Sequence, residues 1–494
     1  MTLTGRDVRV VSPSELQAEA ASWLDVGHRL ALVAGHDDGP HLRAVYLFTS
    51  PRPPQRVELH VILDADRPTV PSLAALSFPA GRFEREMHDL FGVIPLDHPL
   101  PRRLVRHPHW PAGWYPMRHD AGPAPSFDRT VEPYPFVTVE GPGVYEIPVG
   151  PVHAGLIEPG HFRFSVVGET ILKLKARLWF VHRGMEKLFQ GCTPAEGVHL
   201  AERISGDSAA AHALAFSQAV EDALALEVTP TGRRIRAMLV ELERVYNHTT
   251  DLGALANDVG YSLLNGHAQA IRERLLRLNH SITGHRLLRG SIGPGVTRIN
   301  RLPDPDQLAD IATDISELAH LILANATVRD RFTGTAVLSH AQADDLGCLG
   351  YVARASGLAG DARLDHPSCD EVPDPVGHGQ GDVLARFLVR RDEIAASLEL
   401  IGRLRHLIDD LSPPDATRHP SDPEHSSGVG IVEGWRGTVT HRVEMSRGRL
   451  TRVKVVDPSW FNWPALPAAL ADTIVPDFPL ANKSFNLSYA GNDL

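Results

Sequence analysis

The chain has 494 residues, of which 43% are hydrophobic and 22% are charged, and its formal net charge is −11. This length suggests about two to four domains, and the acidic balance argues against a nucleic-acid partner, because phosphate binding needs a basic surface. The three cysteines, Cys192, Cys348 and Cys369, lie far apart and form no CxxC pair, which excludes a disulfide framework and fits a reducing cytoplasm.

Residues 1–120 predict a small α+β domain. Residues 30–34 and 57–63 have strand-like patterns, and a helix is predicted near residues 72–78. The charged stretch GRFEREMHDLFG follows this helix. The N-terminus has no apolar core of the kind found in secretory signals, so no signal peptide is expected.

Residues 121–144 are rich in proline and glycine, a composition that favours an extended, semi-rigid connector. We therefore place a domain boundary in this segment. Residues 161–180 then alternate between apolar and polar side chains, and Gly168-Glu169 is the expected turn. The pattern predicts a hairpin with one solvated face, which carries Lys173, Lys175 and Arg177.

Residues 145–494 predict a mainly helical domain with peripheral antiparallel strands, so that the chain as a whole is α+β. Apolar residues recur at helical spacing in four segments, which are 207–226, 233–252, 268–278 and 307–324. Residues 411–430 predict a surface loop, and residues 438–456 predict strands that turn at Gly448. The longest apolar run, 318–328, falls well short of the roughly 20 residues that a membrane-spanning helix needs.

The first block of residues that carries a family resemblance lies in the N-terminal domain. It consists of fixed spacings over about forty residues, namely ERE at 84–86, Asp89, FG at 91–92, HP at 98–99, RRL at 102–104 and PMRHD at 116–120. This block resembles the small hydrophilic subunit of complex I (NADH-quinone oxidoreductase), which has no cofactor. The alternative is a charged, solvated face.

The second block covers residues 145–494. It is similar to the large hydrophilic subunit that complex I shares with the energy-converting nickel-iron hydrogenases. Fusion of the two subunits is typical of formate hydrogenlyase-type enzymes. The matching segments are EIPVGPVHAGLIEPGHFRF, FVHRGMEKLF, ERISGDSAAAHALAFSQAVEDAL, RAMLVELERVYNH, GHRLLRG, PSWFNWPAL and LADTIVPDFPL.

The resemblance also shows what this chain lacks. A nickel-iron hydrogenase holds its metals with four thiolates from two CxxC motifs, because soft sulfur ligands stabilise nickel and iron. Here Ser205 and Ser208 occupy the first motif, whereas Ser488 and Gly491 occupy the second. Serine hydroxyls are hard donors that cannot replace bridging thiolates, so no metal-binding residues are predicted and a nickel-iron centre is not expected.

A quinone is the candidate cofactor that the resemblance leaves open. Complex I uses a loop histidine and a tyrosine, and His153 matches the histidine, whereas the tyrosine position falls on Gly206. A histidine can hydrogen-bond a quinone carbonyl and donate a proton near neutral pH. The alternative is a loop histidine that caps backbone groups.

Several other polar residues survive around the same locus, and we assign them to the candidate site. They could relay protons, since a buried carboxylate beside an arginine can have a shifted pKa; in relatives the glutamate that Glu186 matches lies on a proton route. The alternative is an interior Arg–Glu pair that only fixes the fold. The residues are Arg183, Glu186, Glu202, Arg203, Asp207 and His212.

Zinc is not favoured, although the chain has 26 histidines. His107 and His109 form an HxH pair, and His199 and His212 lie near the candidate site. No HExxH or comparable ligand spacing occurs, so these histidines are interpreted as structural or surface residues.

The leading hypothesis is a subunit of a membrane-bound oxidoreductase complex that passes electrons to a quinone or another acceptor, coupled to ion translocation. The implied partners are an iron-sulfur subunit, which carries its own cluster, and antiporter-like membrane subunits. The chain would lie in the cytoplasm, on the inner face of the cell membrane. The alternative is a non-redox scaffold or conformational coupling subunit, and a nickel-iron hydrogenase is the third and least favoured hypothesis.

Overall fold

The computed structural model describes residues 5–51, 54–127, 134–153, 155, 157–411, 413–418 and 424–494. The α+β class is confirmed. The N-terminal part is built on a sheet with the strand order β1-β4-β3-β2, in which β1 runs parallel to β4 and the other neighbours are antiparallel. Both predicted strands lie in this sheet. Its elements are β1 (Asp7–Val11), α1 (Leu16–Asp25), β2 (Arg29–Asp37), β3 (His41–Ser50) and β4 (Gln55–Asp64).

The helix predicted near residues 72–78 is wrong. The helix α2 begins only at Phe78 and runs to Phe91, with a proline in its first turn. The preceding residues form a turn in which the Ser72 hydroxyl and the Leu73 amide, each at 2.6 Å, donate to the Glu84 carboxylate. For the charged block that begins with ERE at 84–86, the alternative of a solvated face is also wrong, because Glu84 and Asp89 in α2 are fully buried.

The predicted hairpin is confirmed, but its solvated face is not. The strands β5 (Thr69–Pro71), β6 (Ile94–Leu96), β7 (Val144–Val149), β8 (His161–Val167) and β9 (Thr170–Arg177) flank and follow α2. Within β9, Lys175 and Arg177 are buried, whereas Leu172 is exposed. Arg177 donates to the carbonyl of Leu104 and stacks over the Trp179 ring, so neighbouring segments cover the face that the sequence assigned to solvent.

Helices dominate the middle of the chain, and the four predicted helical segments are confirmed. The elements are α3 (Met185–Leu188), α4 (Pro194–Ala201), α5 (Ala209–Leu224), β10 (Leu226–Glu227), α6 (Pro230–Asp258), α7 (Ser262–Thr283), β11 (Ile292–Gly293), β12 (Val296–Thr297), α8 (Pro305–Ala324), α9 (Ala326–Phe332), α10 (His340–Asp345), α11 (Gly350–Ala355), α12 (Ala362–Asp365) and α13 (Val383–His406). The sequence did not predict α13, because it buries arginines and a glutamate that break an apolar stripe.

The C-terminal part contains a sheet with the order β14-β15-β16. Its turn at Gly448 is as predicted, but the surface loop predicted at 411–430 is wrong from residue 425 onward; residues 412 and 419–423 lie outside the described residues. These strands pack inside the domain against α5 and are not peripheral. The elements are β13 (Thr417–Arg418), β14 (His425–Gly434), β15 (Gly437–Ser446), β16 (Arg449–Val456), α14 (Pro458–Asn462), α15 (Ala465–Ala469), a 3-10 turn (Val475–Asp477), α16 (Phe478–Phe485) and α17 (Tyr489–Asp493).

Ion pairs join the N-terminal sheet to β15. Arg442 contacts the Glu58 carboxylate at 3.1 Å, and Arg43 contacts Glu444 at 3.0 Å. Such pairs satisfy charges that the contact removes from water.

The division of the chain at residues 1–120, 121–144 and 145–494 remains a prediction.

Among the residues that the structure describes, no helix combines the length and the apolar character needed to cross a bilayer.

Glycine lets β14 lie directly on α5. A Cβ atom at Gly430 would overlap the carbonyl oxygen of Ala215 in α5. We expect Gly430→Ala to lower the free energy of unfolding by about 2–3 kcal/mol or more, because the two backbones must separate. Urea denaturation of the purified chain measures this.

The matched control is Gly402→Ala in α13, where an added Cβ meets nothing within 4 Å. Alanine favours helix over glycine by roughly 0.5–1 kcal/mol, so this variant should be neutral or more stable. Equal effects of the two substitutions would contradict close packing at Gly430.

Candidate functional site

The two segments that the resemblance aligns with the CxxC motifs meet in the fold. The turn after α4 carries Ser205, and the segment after α16 carries Ser488. Their hydroxyl oxygens lie 2.8 Å apart and share a hydrogen bond, and both residues are buried. The Ser488 hydroxyl also accepts a hydrogen bond from the Gly491 amide at 2.9 Å. We call the region around Ser205, Ser208, Ser488 and Gly491 the vacated pocket.

An ion pair lies against Ser205. The two terminal guanidinium nitrogens of Arg436, Nη1 and Nη2, donate to the Asp207 carboxylate at 2.6 and 2.7 Å. The Ser205 hydroxyl donates to the same carboxylate at 2.9 Å. Desolvation alone would raise the pKa of Asp207, but the charge and hydrogen bonds of Arg436 hold it below its usual value. Arg436 also stacks on Trp435, with its guanidinium carbon 3.9 Å from the ring centroid.

A carboxylate occupies the space beside Gly491. A Cβ atom at Gly491 would lie 2.6 Å from the carboxyl carbon of Asp457, so no larger side chain fits there without displacing Asp457. Asp457 is buried and follows β16, where it caps α14 through the Ser459 amide at 2.7 Å. The position of the fourth thiolate is therefore closed by an acidic side chain.

Asp457, His212 and His441 form a buried series of hydrogen bonds. His212 Nε2 lies 3.0 Å from Asp457 Oδ2, and His212 Nδ1 lies 3.0 Å from His441 Nε2. If a neutral His212 donates to the carboxylate, its other nitrogen accepts from His441. Desolvation would raise the pKa of Asp457, but the hydrogen bond from His212 holds it low, whereas burial lowers the pKa of His441.

A glutamate of α6 supports the start of α5. Glu243 accepts hydrogen bonds from the amides of Ala210 and Ala211, at 2.7 and 3.1 Å. Burial raises the pKa of Glu243 to about 8, and the neighbouring Asp207 adds to the shift while the two amides oppose it. A carboxyl group that titrates near neutral pH thus lies beside the vacated pocket.

The donors of the vacated pocket do not fit a nickel-iron centre. Hydroxyl groups and a glycine stand where relatives have thiolates, and the space is taken by Asp207, Arg436 and Asp457. Among the residues with described positions, the one group of three potential metal ligands is His36, Asp38 and Glu444, which lies elsewhere.

This His36 group is also a poor cation site. Arg43 contacts both the Asp38 and the Glu444 carboxylates, at 2.7 and 3.0 Å, and Arg442 contacts Glu444 at 2.8 Å. Two guanidinium groups already neutralise the carboxylates and would repel a metal ion. The group is better described as part of the ionic contact between the two parts of the chain.

Five of the predicted site residues fall into two sets at or around the vacated pocket. Asp207 and His212 lie in the vacated pocket, as described above. Arg183, Glu202 and Arg203 frame the turn outside it: Arg183 donates to the carbonyls of Arg203 and Ile204, and Glu202 accepts from the Gly290 amide at 2.6 Å. Arg203 has a side chain that is 51% exposed, so it contributes little to a buried relay.

Glu186 lies in a buried ionic chain. Its carboxylate contacts Arg452 at 2.8 Å and Lys454 at 3.2 Å, and Lys454 contacts Glu86 of α2 at 2.6 Å. Burial opposes ionisation, but Arg452 and Lys454 keep the pKa of Glu186 below its usual value. Glu186 therefore ties α3 to β16 and α2, and its proposed role in proton transfer remains a prediction.

His153 lies in the loop between β7 and β8, close to the C-terminal segment. Its ring centroid is 6.3 Å from that of Tyr489, and its Nδ1 lies 3.1 Å from the carbonyl oxygen of Pro151. Among the described residues, His153 Nε2 makes no hydrogen bond, and the buried Tyr489 hydroxyl has only a weak interaction with the Asn482 side chain. A Cβ atom at Gly160 would meet the Tyr489 ring at 2.5 Å, so glycine makes room for the tyrosine.

Sequence reasoning missed Arg436, His441, Asp457 and Tyr489. Asp457 had a local signal, since an Asp-Pro-Ser sequence before an apolar run is a helix start. Tyr489 directly follows Ser488 and could have been noted as the nearest tyrosine to the second motif. His441 and Arg436 had no local signal.

The HxH pair, His107 and His109, packs ring against ring with centroids 6.0 Å apart, and His107 Nε2 contacts the Trp179 carbonyl at 2.9 Å, as expected for structural histidines.

We expect Asp207→Asn to lower the free energy of unfolding by about 1–3 kcal/mol at neutral pH, because the buried Arg436 loses its counter-charge. The Asp207 side chain is 40% exposed, so solvent screening keeps the effect below that of a fully buried pair. The pKa of Asp207 is lower in the folded state, so the stabilisation is present above about pH 3.8 and is lost as the pH falls through the folded value. Urea denaturation across the acidic range measures both effects.

Glu424→Gln is the matched control, since it removes an exposed pair with Arg447, whose side chain is 83% exposed. This variant should change stability by less than about 0.5 kcal/mol. If Asp207→Asn is equally silent, the ion pair does not hold the vacated pocket closed.

Comparison with known proteins gives three family matches. Residues 10–126 match the 30 Kd subunit of respiratory-chain NADH dehydrogenase, residues 258–425 match its 49 Kd subunit, and residues 183–256 match nickel-dependent hydrogenase. The chain is 32% identical to formate hydrogenlyase subunit 5 of Escherichia coli over 88% of this chain and 79% of that protein. It is 29% identical to the C/D subunit of NADH-quinone oxidoreductase of Bacteroides thetaiotaomicron, over 84% and 82% of the two chains.

A solved structure has the same fold. A chain of the membrane-bound sulfane sulfur reductase, an archaeal respiratory membrane complex, superposes with a TM-score of 0.64 at 24% identity. The match covers 71% of this chain and 99% of that one.

Proposed function

This chain belongs to the family of complex I and nickel-iron hydrogenase large subunits that carry a fused 30 Kd-type domain, and from this membership we propose that it is a subunit of a membrane-bound oxidoreductase complex. Within that complex it would dock on an iron-sulfur subunit and antiporter-like membrane subunits. It would lie in the cytoplasm, peripheral to the inner face of the cell membrane. Electrons from the partner's cluster would reach an acceptor at this subunit, coupled to ion translocation.

The acceptor we favour is a quinone held between His153 and Tyr489. This choice is carried by two buried polar atoms on neighbouring rings: His153 Nε2 makes no hydrogen bond among the described residues, and the Tyr489 hydroxyl has only a weak interaction there, with Asn482. Unpaired buried polar atoms are costly unless a ligand satisfies them. A quinone headgroup offers two carbonyl oxygens; the Tyr489 hydroxyl can donate to one, and His153, whose Nδ1 donates to the Pro151 carbonyl, can donate to the other from Nε2 in its protonated form.

Proton delivery by His153 and orientation of the headgroup by Tyr489 are the chemistry that these two residues would supply. Reduction of a quinone to a quinol takes two electrons, here from the partner's iron-sulfur cluster, and two protons, of which protonated His153 would deliver one and solvent the other. A histidine can transfer a proton near neutral pH. Burial raises the pKa of the Tyr489 hydroxyl above its usual value, although Asn482 partly opposes the shift. Tyr489 would therefore remain protonated and act as a hydrogen-bond donor.

A second candidate function is a non-redox scaffold or conformational coupling subunit. The closure of the vacated pocket by Ser205–Ser488 and Asp207–Arg436 favours it, because such bonds stabilise a fold without redox chemistry. In that case His153→Ala and Glu186→Gln should both leave turnover of the assembled complex unchanged. A defect confined to electron transfer would instead favour the redox function.

A working nickel-iron hydrogenase remains the third hypothesis. The donor set gives no thiolate to hold the metals. Elemental analysis of the purified native complex should therefore find no stoichiometric nickel attributable to this subunit, and stoichiometric nickel would restore the hydrogenase hypothesis.

The quinone site is tested by titrating the purified complex with decylubiquinone. We expect His153→Ala and Tyr489→Phe each to weaken binding about tenfold, which corresponds to one lost hydrogen bond. His119→Ala is the control, since its side chain is 65% exposed on another face. Absence of binding to the native complex, or identical affinity in all four proteins, would refute the quinone proposal.

A further inference from the structure

A second concentration of charge lies in the interior, away from the vacated pocket. It joins α6, α11, α12, α13 and the end of β14, and each of its side chains is at most 9% exposed. We call it the arginine–carboxylate cluster. Its members are Glu241, Arg244, Arg354, Asp361, Arg363, Glu393 and Glu433.

Three carboxylates of the cluster each contact two guanidinium groups. Glu393 contacts Arg354 at 2.8 Å and Arg244 at 3.5 Å. Glu241 contacts Arg244 and Arg363, both at 3.1 Å.

Asp361 completes this pattern, because it contacts Arg363 at 2.6 Å and Arg354 at 3.5 Å. Charge sharing of this kind keeps a buried carboxylate ionised.

Glu433 is the exception. It has an ion pair with Arg354 alone, at 2.8 Å. Its other oxygen accepts from neutral groups, the Ala362 amide at 3.1 Å and the Thr438 hydroxyl at 2.8 Å. A hydroxyl can reverse its role and accept a hydrogen bond from a protonated carboxyl. The surroundings of Glu433 therefore suit both of its protonation states.

The charges of the cluster do not balance. Four carboxylates face three guanidinium groups, which leaves one negative charge in excess when all are ionised. His248 does not supply the missing positive charge: its Nε2 contacts Glu393 at 2.8 Å, but burial lowers its pKa to about 4. Because an uncompensated buried charge is costly, the cluster gains by binding a proton.

Burial and the surrounding charges act on Glu433 in both directions, and burial has the largest effect. Burial raises the pKa of Glu433, Arg354 and Arg244 oppose the shift, and Asp361 adds to it. Arg29 acts on Glu433 from the N-terminal sheet, and the negative Asp365 acts on Arg29 as well, which partly offsets its charge.

A small cavity beside Glu433 has room for a proton-carrying water molecule. A cavity of about 30 Å³ lies beside the cluster, and Glu433, Glu241 and Arg363 are among the residues that line it. This volume is large enough for about one water molecule.

One tight turn links the cluster to the vacated pocket. Trp435 and Arg436 form the turn between β14 and β15, directly after the end of the strand that carries Glu433. The Trp435 indole donates to the Asp207 carbonyl at 2.9 Å, and Arg436 holds the Asp207 carboxylate. Glu433 and Asp207 are thus joined by a short, hydrogen-bonded segment.

We propose that the arginine–carboxylate cluster stores one exchangeable proton on Glu433, and that the turn at Trp435-Arg436 couples this proton to the Asp207–Arg436 ion pair. In this step the Glu433 carboxylate binds a proton from solvent and becomes a carboxylic acid. The inference rests on the proposed function only for its role in ion coupling; the proton-binding site itself does not depend on quinone binding.

Infrared spectroscopy of the purified complex tests the storage site. At pH 7 the native complex should show a carboxylic-acid C=O band that shifts in D2O and is lost in Glu433→Gln. Identical acid bands in the two proteins would overturn the proposal. Glu221→Gln is the matched control, since Glu221 is buried and held by two nitrogens of Arg236; it should leave the acid bands unchanged.

A second variant covers the case in which Glu433→Gln fails to fold. Thr438→Val removes one hydrogen bond from Glu433 and should shift the same acid band without abolishing it. An unshifted band in Thr438→Val would overturn the assignment to Glu433. The link to the vacated pocket is tested by Asp207→Asn, which should also move the band, and a band that stays in place would overturn the coupling.

The pH dependence of stability gives an independent readout. Because the pKa of Glu433 is higher in the folded state than its usual 4.5, this residue lowers the free energy of unfolding as the pH rises above about 4.5. That component should be missing in Glu433→Gln, and equal slopes of the free energy of unfolding against pH in the two proteins would contradict the proposal.

Failure of the decylubiquinone titration with the acid band present would refute only the quinone site.

Discussion

A guanidinium group that is removed from water needs a carboxylate beside it, and this requirement organises the interior of the chain. Arg442 and Arg43 meet Glu58 and Glu444 where the N-terminal sheet contacts β15. Arg436 meets Asp207 in the vacated pocket. Removing the carboxylate of such a pair leaves a largely buried guanidinium group without its counter-charge, which is why these contacts fix the arrangement of the elements that carry them.

The same constraint explains how a pocket that holds metals in relatives can remain folded without thiolates. Hydroxyl groups at Ser205 and Ser488 satisfy each other, Asp457 fills the space beside Gly491, and Arg436 supplies a positive charge that balances Asp207. The outcome is a closed polar site with a titratable carboxyl, Glu243, at its edge. Such a site can hold and move protons more readily than it can bind a soft metal ion.

The β14–β15 hairpin is the element on which these features converge. Its glycines let it lie against the backbone of α5, its end carries Glu433 into the arginine–carboxylate cluster, and its turn carries Arg436 into the vacated pocket. A tightly packed segment of this kind transmits small shifts because neighbouring groups cannot relax independently. Proton storage and the state of the pocket are thus properties of one rigid structural unit.

The sequence by itself determined the family, the α+β class, the long amphipathic helices and the absence of thiolates, because these depend on residue identity and on local periodicity. It failed at residues 72–78, 425–430 and the face of β9, where distant segments supply the partners of the side chains. Only the tertiary structure brought Ser205 to Ser488, Asp457 to Gly491 and Tyr489 to His153. Most of these contacts join residues that are far apart in the chain, and their geometry depends on packing and charge balance that no local pattern encodes.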